Sequence, residues 1–340
     1  PHMYKKDGRY YLLIAEGGTS FNHAVMVALS DNIEGPYISN PRNPIITSRH
    51  LSYDNWVNST GHGDIIQLDD GRNYMVLLGI RNQMGRGSNM GRETFLAPVK
   101  WEREPFEWKE NKYLWPVVSP QTGRVERLNN VIIEGSVQNN NLSFEDNFDS
   151  DNLNLIWNFR RYPLHNIFKL DINNDRLKLI CHANKIKDRG RAALLGFKQT
   201  ELNFEYDSKM FFEPKRNKSE AGISIFQKDD NYINFTLIRE DNEINLQAYY
   251  TKNNMIIDSV KETISEYQGH IKFKVIANKE SIKLYYRMNN SNFKLFTSFD
   301  GDIIKSKGYT GAHLGLYASG NGAFTKDFAS FDYVNYQVRK

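Results

Sequence analysis

The alternation of apolar and polar positions predicts that the first 120 residues form short β-strands joined by tight turns. Residues 10–15 are a nearly continuous apolar run, which predicts a strand buried on both faces. Asp7 and Gly8 precede that run and predict a hairpin with a type I′ turn, because Gly accepts a positive φ. Residues 23–29 predict a second buried strand. The chain is therefore predicted to open on a β-hairpin that a further buried strand follows.

The same pattern continues to about residue 120. Residues 63–68 and 73–79 flank an Asp-Gly turn and predict another hairpin. Residues 93–101 predict a further strand, and Pro98 places its later half at a sheet edge or in a bulge. No segment here predicts a helix, and the hairpins suffice for roughly two and a half four-stranded sheets of a propeller or barrel. A propeller has at least about four blades, so we expect the rest of the ring to precede this chain.

Beyond residue 142 the alternation becomes regular, and one face of each segment is polar. Seven segments follow it: 221–226, 232–238, 244–249, 271–276, 281–286, 313–317 and 328–334. This pattern is typical of an antiparallel β-sandwich. The all-β chain is thus predicted to contain the C-terminal part of a propeller (residues 1–125), an Asn-rich linker (126–141) and a sandwich (142–340).

Composition excludes several classes of protein. The net charge is +4 over 340 residues without a basic patch, which argues against a nucleic-acid partner. No apolar run reaches the ~20 residues of a membrane span. The lone Cys181 excludes an internal disulfide, and its strand-like surroundings predict a small buried side chain. One free cysteine and the lack of a visible secretory signal favour a cytoplasmic over a secreted protein, although the chain begins with Pro1 and not with Met.

Three short stretches carry candidate chemistry. His62 and Asp64 lie two apart between glycines, which indicates a metal or substrate contact on one face of a strand, or alternatively a buried histidine bonded to backbone. Arg92 follows a glycine and could donate a fork of hydrogen bonds to vicinal sugar hydroxyls, or form a structural ion pair. Glu16 and Thr19 flank a Gly-Gly pair, where a carboxylate and a hydroxyl could contact substrate, although a lone carboxylate there is more often structural.

Other groups give weaker signals. Glycoside hydrolysis needs two positioned carboxyl groups, and no obvious pair is visible. The glycines at 85–91 do not predict nucleotide binding, because no Gly-Lys-Ser/Thr follows them. Four tryptophans could stack on sugars, although most of them are expected in cores: Trp56, Trp101, Trp108 and Trp115.

Several motifs recur in a family-like order: residues 1–8 with Pro1-His2, residues 11–19, Asn22-His23, and residues 32–37, 61–64 and 91–99. Over essentially the whole chain they resemble the β-xylosidase and α-L-arabinofuranosidase branch of glycoside hydrolase family 43. The resemblance implies a five-bladed β-propeller followed by a concanavalin-like β-sandwich. It also implies exo-acting, inverting release of xylosyl or arabinofuranosyl residues from hemicellulose-derived oligosaccharides.

The resemblance also implies a division of the active site. The family's general acid is the Glu of a Glu-Gly-Pro-His motif, of which this chain matches only Pro1-His2, so the acid is expected two residues before Pro1. Two catalytic aspartates are expected further upstream, which leaves none of the three carboxylates in this chain. Arg92 and Thr19 match sugar-binding positions, Tyr309 matches an aromatic residue at the rim, and His62 matches a histidine that binds Ca²⁺ or water in relatives.

These matches imply the partners. They are a pentose-containing oligosaccharide, the N-terminal propeller segment of the same protein and, as an open option, further copies of this chain. No cofactor is required by this reading, although a calcium ion at His62 fits it. The alternative is a chain without catalytic activity, either a carbohydrate-binding module or an inactive remnant.

Overall fold

The computed structural model describes residues 1–83, 87–103, 113–127, 129, 142–162, 167–306 and 309–339. It divides into two compact units, one of Pro1–Val137 with Lys307–Tyr309 and one of Gln138–Ser306 with Thr310–Lys340. The predicted linker at 126–141 lies largely outside the described residues, and its boundaries stay a prediction.

The first unit begins with a small antiparallel sheet. Its strands are β1 His2–Lys6, β2 Arg9–Glu16, β3 Ala24–Ser30, β4 Ile38–Ser39 and β5 Ile46–Thr47. They lie in the order β1-β2-β3-β4, and β5 also pairs with β3. The predicted first hairpin is confirmed: Lys6 pairs with Arg9 across Asp7 (φ 50°) and Gly8 (φ 80°), the two positive angles that a type I′ turn requires.

A four-stranded meander follows. Its strands are β6 Val57–Gln67, β7 Asn73–Arg81, β8 Arg92–Arg103 and β9 Leu114–Val118, in that order. The expectation for Pro98 is wrong, because β8 has a neighbour on both sides: Pro98 pairs with Tyr74 of β7, and its carbonyl accepts a hydrogen bond from Ser119 at 2.8 Å. Proline lacks only the N–H donor, so its carbonyl still serves the β9 side.

The prediction that residues 10–15 are buried on both faces is also wrong. Tyr11 and Leu13 are each 1% exposed and belong to the core of the first unit, whereas Ile14 is 42% exposed. Met3 pairs with Leu12 on the same outer face of the sheet and is also 42% exposed. The first sheet therefore buries one face and presents a second apolar face to solvent.

The second unit contains two larger sheets. The eight-stranded sheet contains β10 Phe144–Asp146, β12 Phe168–Asp171, β13 Arg176–Ile180, β15 Phe204–Phe212, β20 His270–Ala277, β21 Ser281–Arg287, β22 Lys294–Asp300 and β24 Phe328–Val338. The seven-stranded sheet contains β11 Asn158–Phe159, β14 Ala193–Lys198, β16 Glu220–Lys228, β17 Asn231–Glu240, β18 Glu243–Lys252, β19 Met255–Thr263 and β23 His313–Ser319. All seven predicted segments are strands, and the pairs within both sheets are antiparallel. The one helical element among the described residues is a 3₁₀ turn, η1 Ile172–Asn174.

A single large apolar core joins residues of the two sheets, including Phe235 of β17 and Phe273 of β20. Because Phe235 faces that core, its neighbours Asn234 and Thr236 face outward, and yet both are fully buried. The predicted polar face is therefore present, although these two side chains on it are buried. The outer face of the seven-stranded sheet carries polar residues, but an apolar cluster containing Ile186 covers part of it.

Cys181 is fully buried, as predicted. Burial, reinforced by the Asp327 carboxylate, raises the pKa of its thiol far above the usual range, so it is not a reactive thiolate. Among the described residues, no helix is long and apolar enough to cross a membrane.

Candidate functional site

Strand β6 carries the Thr-Gly-His-Gly-Asp stretch, and its backbone is irregular there. The pairing with β7 shifts register between Asn58 and Gly61 and again between Gly61 and Asp64. His62 also has a φ of 52°, which is uncommon outside glycine. The expectation that His62 and Asp64 share a face rests on a two-residue period, and these bulges interrupt that period. The two side chains consequently have different neighbours.

Asp64 ties β6 to β1. Its carboxylate accepts a hydrogen bond from the Tyr4 hydroxyl at 2.9 Å and lies 2.8 Å from Nδ1 of His2. The Tyr4 oxygen in turn accepts the Ile65 N–H at 3.0 Å. Burial, together with the Asp64 carboxylate, raises the pKa of Tyr4 to about 12, so its hydroxyl remains a donor. Asp64 thus has a structural role in this arrangement.

His62 is exposed and lies edge-on to a second histidine. The rings of His23 and His62 are 6.4 Å apart and nearly perpendicular. His23 is fully buried, and its Nδ1–H donates a hydrogen bond to the Ser59 carbonyl at 3.1 Å. That bond leaves Nε2 as an acceptor, and this buried atom has no hydrogen-bond partner in the described part of the chain.

Sequence reasoning missed His23 as a site residue. Burial lowers the pKa of this imidazole, and the nearby charges of His62 and Arg92 lower it further, against the Ser59 hydrogen bond. Gly61 lies against the ring, because a Cβ there would be 2.5 Å from the imidazole carbons. The available signal was a polar, titratable side chain placed directly before a buried apolar strand.

The structure brings Arg92 and Tyr309 together. The Arg92 N–H donates to the Tyr309 carbonyl at 3.1 Å, and the guanidinium carbon lies 4.5 Å from the centre of the Tyr309 ring. This is the distance of a cation–π contact, which orients the planar guanidinium. The Tyr309 ring is 57% exposed. Two predicted site residues that are far apart in sequence are thus in direct contact.

The remaining candidate residues lie in exposed or structural positions. Thr19 lies in the exposed turn that follows β2, after Gly17 and Gly18 with positive φ angles. Glu16 is 3.4 Å from the Arg49 guanidinium, which favours its structural reading. Trp115 is fully buried, and Trp56 and Trp101 pack against the same core. Trp108 and part of the 85–91 glycine loop lie outside the described residues.

The described residues at this site offer groups that could contact a ligand. Arg92 offers a fork of donors, Tyr309 offers an aromatic surface, and the two imidazoles offer polar atoms beside them. The nearby carboxylates of Asp64 and Glu16 are both engaged in structural contacts. Within the described ranges, no group of three His, Cys, Asp or Glu residues could hold a metal ion.

Two protein-family models match the chain. The model described as glycosyl hydrolases family 43 matches residues 1–106, and the model described as beta xylosidase C-terminal concanavalin A-like domain matches residues 145–337.

Curated relatives cover the whole chain. The non-reducing end α-L-arabinofuranosidase BoGH43B of Bacteroides ovatus is 28% identical over 346 residues, which is 99% of this chain and 62% of the relative. A xylosidase/arabinosidase of Butyrivibrio fibrisolvens is 30% identical over 343 residues, 98% of this chain and 63% of the relative. The chain therefore spans less than two thirds of the length of these relatives.

Solved structures agree with the all-β prediction. The Bacteroides ovatus protein titled xyloglucan PUL GH43B has a TM-score of 0.87 at 27% identity and covers 100% of this chain and 65% of its own. A GH43 protein of Bacillus licheniformis, BlXynB, has a TM-score of 0.83 at 26% identity, with the same coverage. The predicted fold class, propeller blades followed by a concanavalin-like sandwich, is confirmed.

Proposed function

We propose that this chain, which belongs to glycosyl hydrolases family 43, is the C-terminal part of an exo-acting glycosidase that releases xylosyl or arabinofuranosyl residues from hemicellulose-derived oligosaccharides. The observation that carries the proposal is the Arg92 guanidinium, held over the Tyr309 ring and close enough to His23 to influence its pKa. The names of the relatives, an arabinofuranosidase and a xylosidase/arabinosidase, support the substrate class.

In this proposal Arg92 fixes the terminal sugar. A guanidinium presents its donors in a rigid fork, which suits two vicinal hydroxyls. Its backbone bond and its ring contact, both to Tyr309, hold it in place before substrate arrives, so less conformational freedom is lost on binding. Thr19 and the exposed His62 contribute further contacts on the sugar's polar edge.

The hydrolytic groups lie outside this chain in the same proposal. An inverting glycosidase uses a carboxylic acid and a carboxylate about 6.5–9.5 Å apart, with a water between the base and the anomeric carbon. The acid would protonate the leaving oxygen while the base takes a proton from that water. Neither role falls to Asp64 or Glu16, which form structural contacts, so the chain alone is expected to be inactive.

The second apolar face of the first sheet supports a further propeller segment as the partner. Met3 and Ile14 are each 42% exposed on this face, and exposed apolar faces usually mark interaction surfaces. We infer that another blade of the same propeller packs there.

A calcium ion fits the described donors poorly. Calcium takes about six to eight oxygen ligands, whereas His62 and His23 offer imidazole nitrogens. A water bonded to the acceptor Nε2 of His23 suits these groups better, because that buried atom lacks a protein donor among the residues described. No step of the proposed reaction is routed through a metal.

The proposal is tested by hydrolysis of nitrophenyl xyloside and nitrophenyl arabinofuranoside. The chain is assayed alone and joined to the residues encoded before Pro1 in its gene. We expect no turnover from the chain alone and turnover from the joined protein. Arg92→Lys in the joined protein should lower kcat/KM by roughly 10- to 150-fold, since hydrogen bonds from a charged group contribute about 1.5–3 kcal/mol. Arg124→Lys, at an arginine that is half exposed and paired with Glu126, is the matched control and should have no effect.

Each arm has an outcome that contradicts it. Turnover by the chain alone would place the catalytic carboxylates within these residues. Lack of turnover by the joined protein on both pentosides would refute the proposed activity. Equal rates for Arg92→Lys and Arg124→Lys would remove Arg92 from the sugar-binding site.

A further inference from the structure

A groove on the second unit is lined by none of the residues discussed so far for hydrolysis. It runs over the outer face of the seven-stranded sheet, where β17, β18 and β19 lie side by side, and has a volume of about 360 Å³. Pockets for small ligands usually measure about 300–1,000 Å³. The groove is therefore large enough for a ligand of a few sugar rings.

A buried carboxylate anchors one end of the groove. Glu220 is 2% exposed, and its Oε1 accepts hydrogen bonds from Thr236 at 2.8 Å, Tyr249 at 3.0 Å and Gln247 at 3.2 Å. Its Oε2 accepts the Asn321 amide at 2.9 Å. A buried carboxylate with four donors is a rigid polar centre, because moving any partner leaves charge unsatisfied.

That centre fixes an aromatic ring in the groove. The Tyr249 hydroxyl donates a hydrogen bond to Glu220 and accepts one from the Asn234 amide at 2.8 Å, so it is held both as a donor and as an acceptor. Burial raises the pKa of Tyr249 well above its ordinary value, which keeps the hydroxyl protonated. The rest of the ring is only partly buried and lines the groove beside Gln247. Such an arrangement presents a pre-positioned aromatic surface next to an amide.

The rim is positively charged. Lys185, Lys187 and Lys218 line the groove, and none of the ion pairs that the structure describes includes them. A fourth lysine on the rim, Lys261, is neutralised by Glu240 at 2.8 Å. The ammonium groups therefore outnumber the carboxylates, and the groove favours a ligand that carries negative charge.

We propose that this groove binds an acidic oligosaccharide, with a sugar ring against Tyr249, hydroxyls bonded to Gln247, and a uronate carboxylate paired with Lys187 or Lys218. An aromatic ring and an amide suit the apolar face and the hydroxyls of a sugar, while the lysines suit the carboxylate. The assignment concerns binding and does not depend on the proposed hydrolysis.

The test is titration calorimetry of the full chain with a glucuronate-bearing xylo-oligosaccharide and with the neutral xylo-oligosaccharide of equal length. We expect the acidic ligand to bind at least about tenfold more tightly at low salt. The double variant Lys187→Ala/Lys218→Ala should raise its Kd about tenfold, since it removes both lysines with which the uronate could pair, and leave the affinity for the neutral ligand unchanged. Lys279→Ala/Lys283→Ala removes the same charge from exposed positions elsewhere in this unit and should have no effect.

Two further variants separate the possible sites. Tyr249→Leu should weaken the binding of both oligosaccharides. A circular dichroism spectrum of this variant verifies that it is folded. The titrations are repeated with Arg92→Lys, which weakens the proposed sugar-binding site of the first unit, and the preference for the acidic over the neutral oligosaccharide should persist in this variant.

Three results would overturn the proposal. They are equal affinities for the acidic and neutral oligosaccharides, equal effects of the two lysine pairs, and binding of inorganic phosphate that matches the acidic oligosaccharide. The last result would identify an anion site that does not recognise sugars. A loss of binding in Arg92→Lys would assign the signal to the hydrolytic site.

Discussion

The contact between Gly61 and His23 can be tested by adding one methyl group. In Gly61→Ala the new Cβ would lie 2.5 Å from Cγ and Cδ2 of the His23 ring and 2.7 Å from its Nδ1. Optimal contacts between carbon atoms are about 3.5–4.0 Å, so the ring or β6 must shift by roughly 1 Å. The ring cannot move freely, because it is fully buried and Nδ1 bonds Ser59 at 3.1 Å.

The expected cost follows from two contributions. Overpacking a core position costs about 1–3 kcal/mol. Loss of the hydrogen bond between His23 and Ser59 adds about 1 kcal/mol. We therefore expect Gly61→Ala to lower the free energy of unfolding of the first unit by about 2–4 kcal/mol.

Guanidinium unfolding followed by tryptophan fluorescence measures this cost. Four of the five tryptophans lie in residues 1–120, so the signal reports mainly on the first unit. The decisive measurement is a double-mutant cycle with His23→Ala, which removes the ring that the methyl group meets. We expect Gly61→Ala to cost at least about 1.5 kcal/mol less in that background. Gly71→Ala is the control, because its Cβ would meet no atom within 4 Å and its cost should be additive with His23→Ala. If the costs of Gly61→Ala and His23→Ala also add to within about 0.5 kcal/mol, the steric argument is refuted.

Three further predictions concern the same unit. Gly8→Ala should cost about 1 kcal/mol from its φ of 80° alone, because no atom lies within 4 Å, and a cost near zero in the same unfolding assay would contradict the type I′ turn. Tyr4→Phe removes both the donor to Asp64 and the acceptor of the Ile65 N–H, so it should cost about 1–3 kcal/mol and speed hydrogen exchange at Ile65; unchanged exchange would contradict this. Because the pKa of His23 is lowered by burial, the unfolded state binds the proton first, and stability should fall as pH decreases from about 6.5 towards the folded pKa. His23→Gln should flatten that part of the stability–pH curve, and an unchanged slope would show that His23 does not contribute to it.

Local chemistry in the sequence predicted the strands and their turns well. The Asp7-Gly8 hairpin and the seven alternating segments of the second unit depend on neighbouring residues, which determine backbone angles and which face is apolar. Burial was harder to predict. Ile14 was expected inside, but it lies on the exposed second face of its sheet. Asn234 and Thr236 lie on the polar outer face of their sheet and are nevertheless fully buried, where they bond to Tyr249 and Glu220.

The all-β class, the order of the motifs and hence the family follow from the amino-acid sequence alone, because these are properties of short segments and of their succession. The sequence also marked Arg92 and His62 as candidates from residue type and flanking glycines. The contacts of those side chains depend on the three-dimensional fold. The bulges in β6 separate His62 from the face of Asp64 and set it beside His23, and the fold brings Tyr309 to Arg92. Contacts between distant segments depend on strand register and on the packing of whole sheets, which a local pattern of apolar and polar residues does not encode.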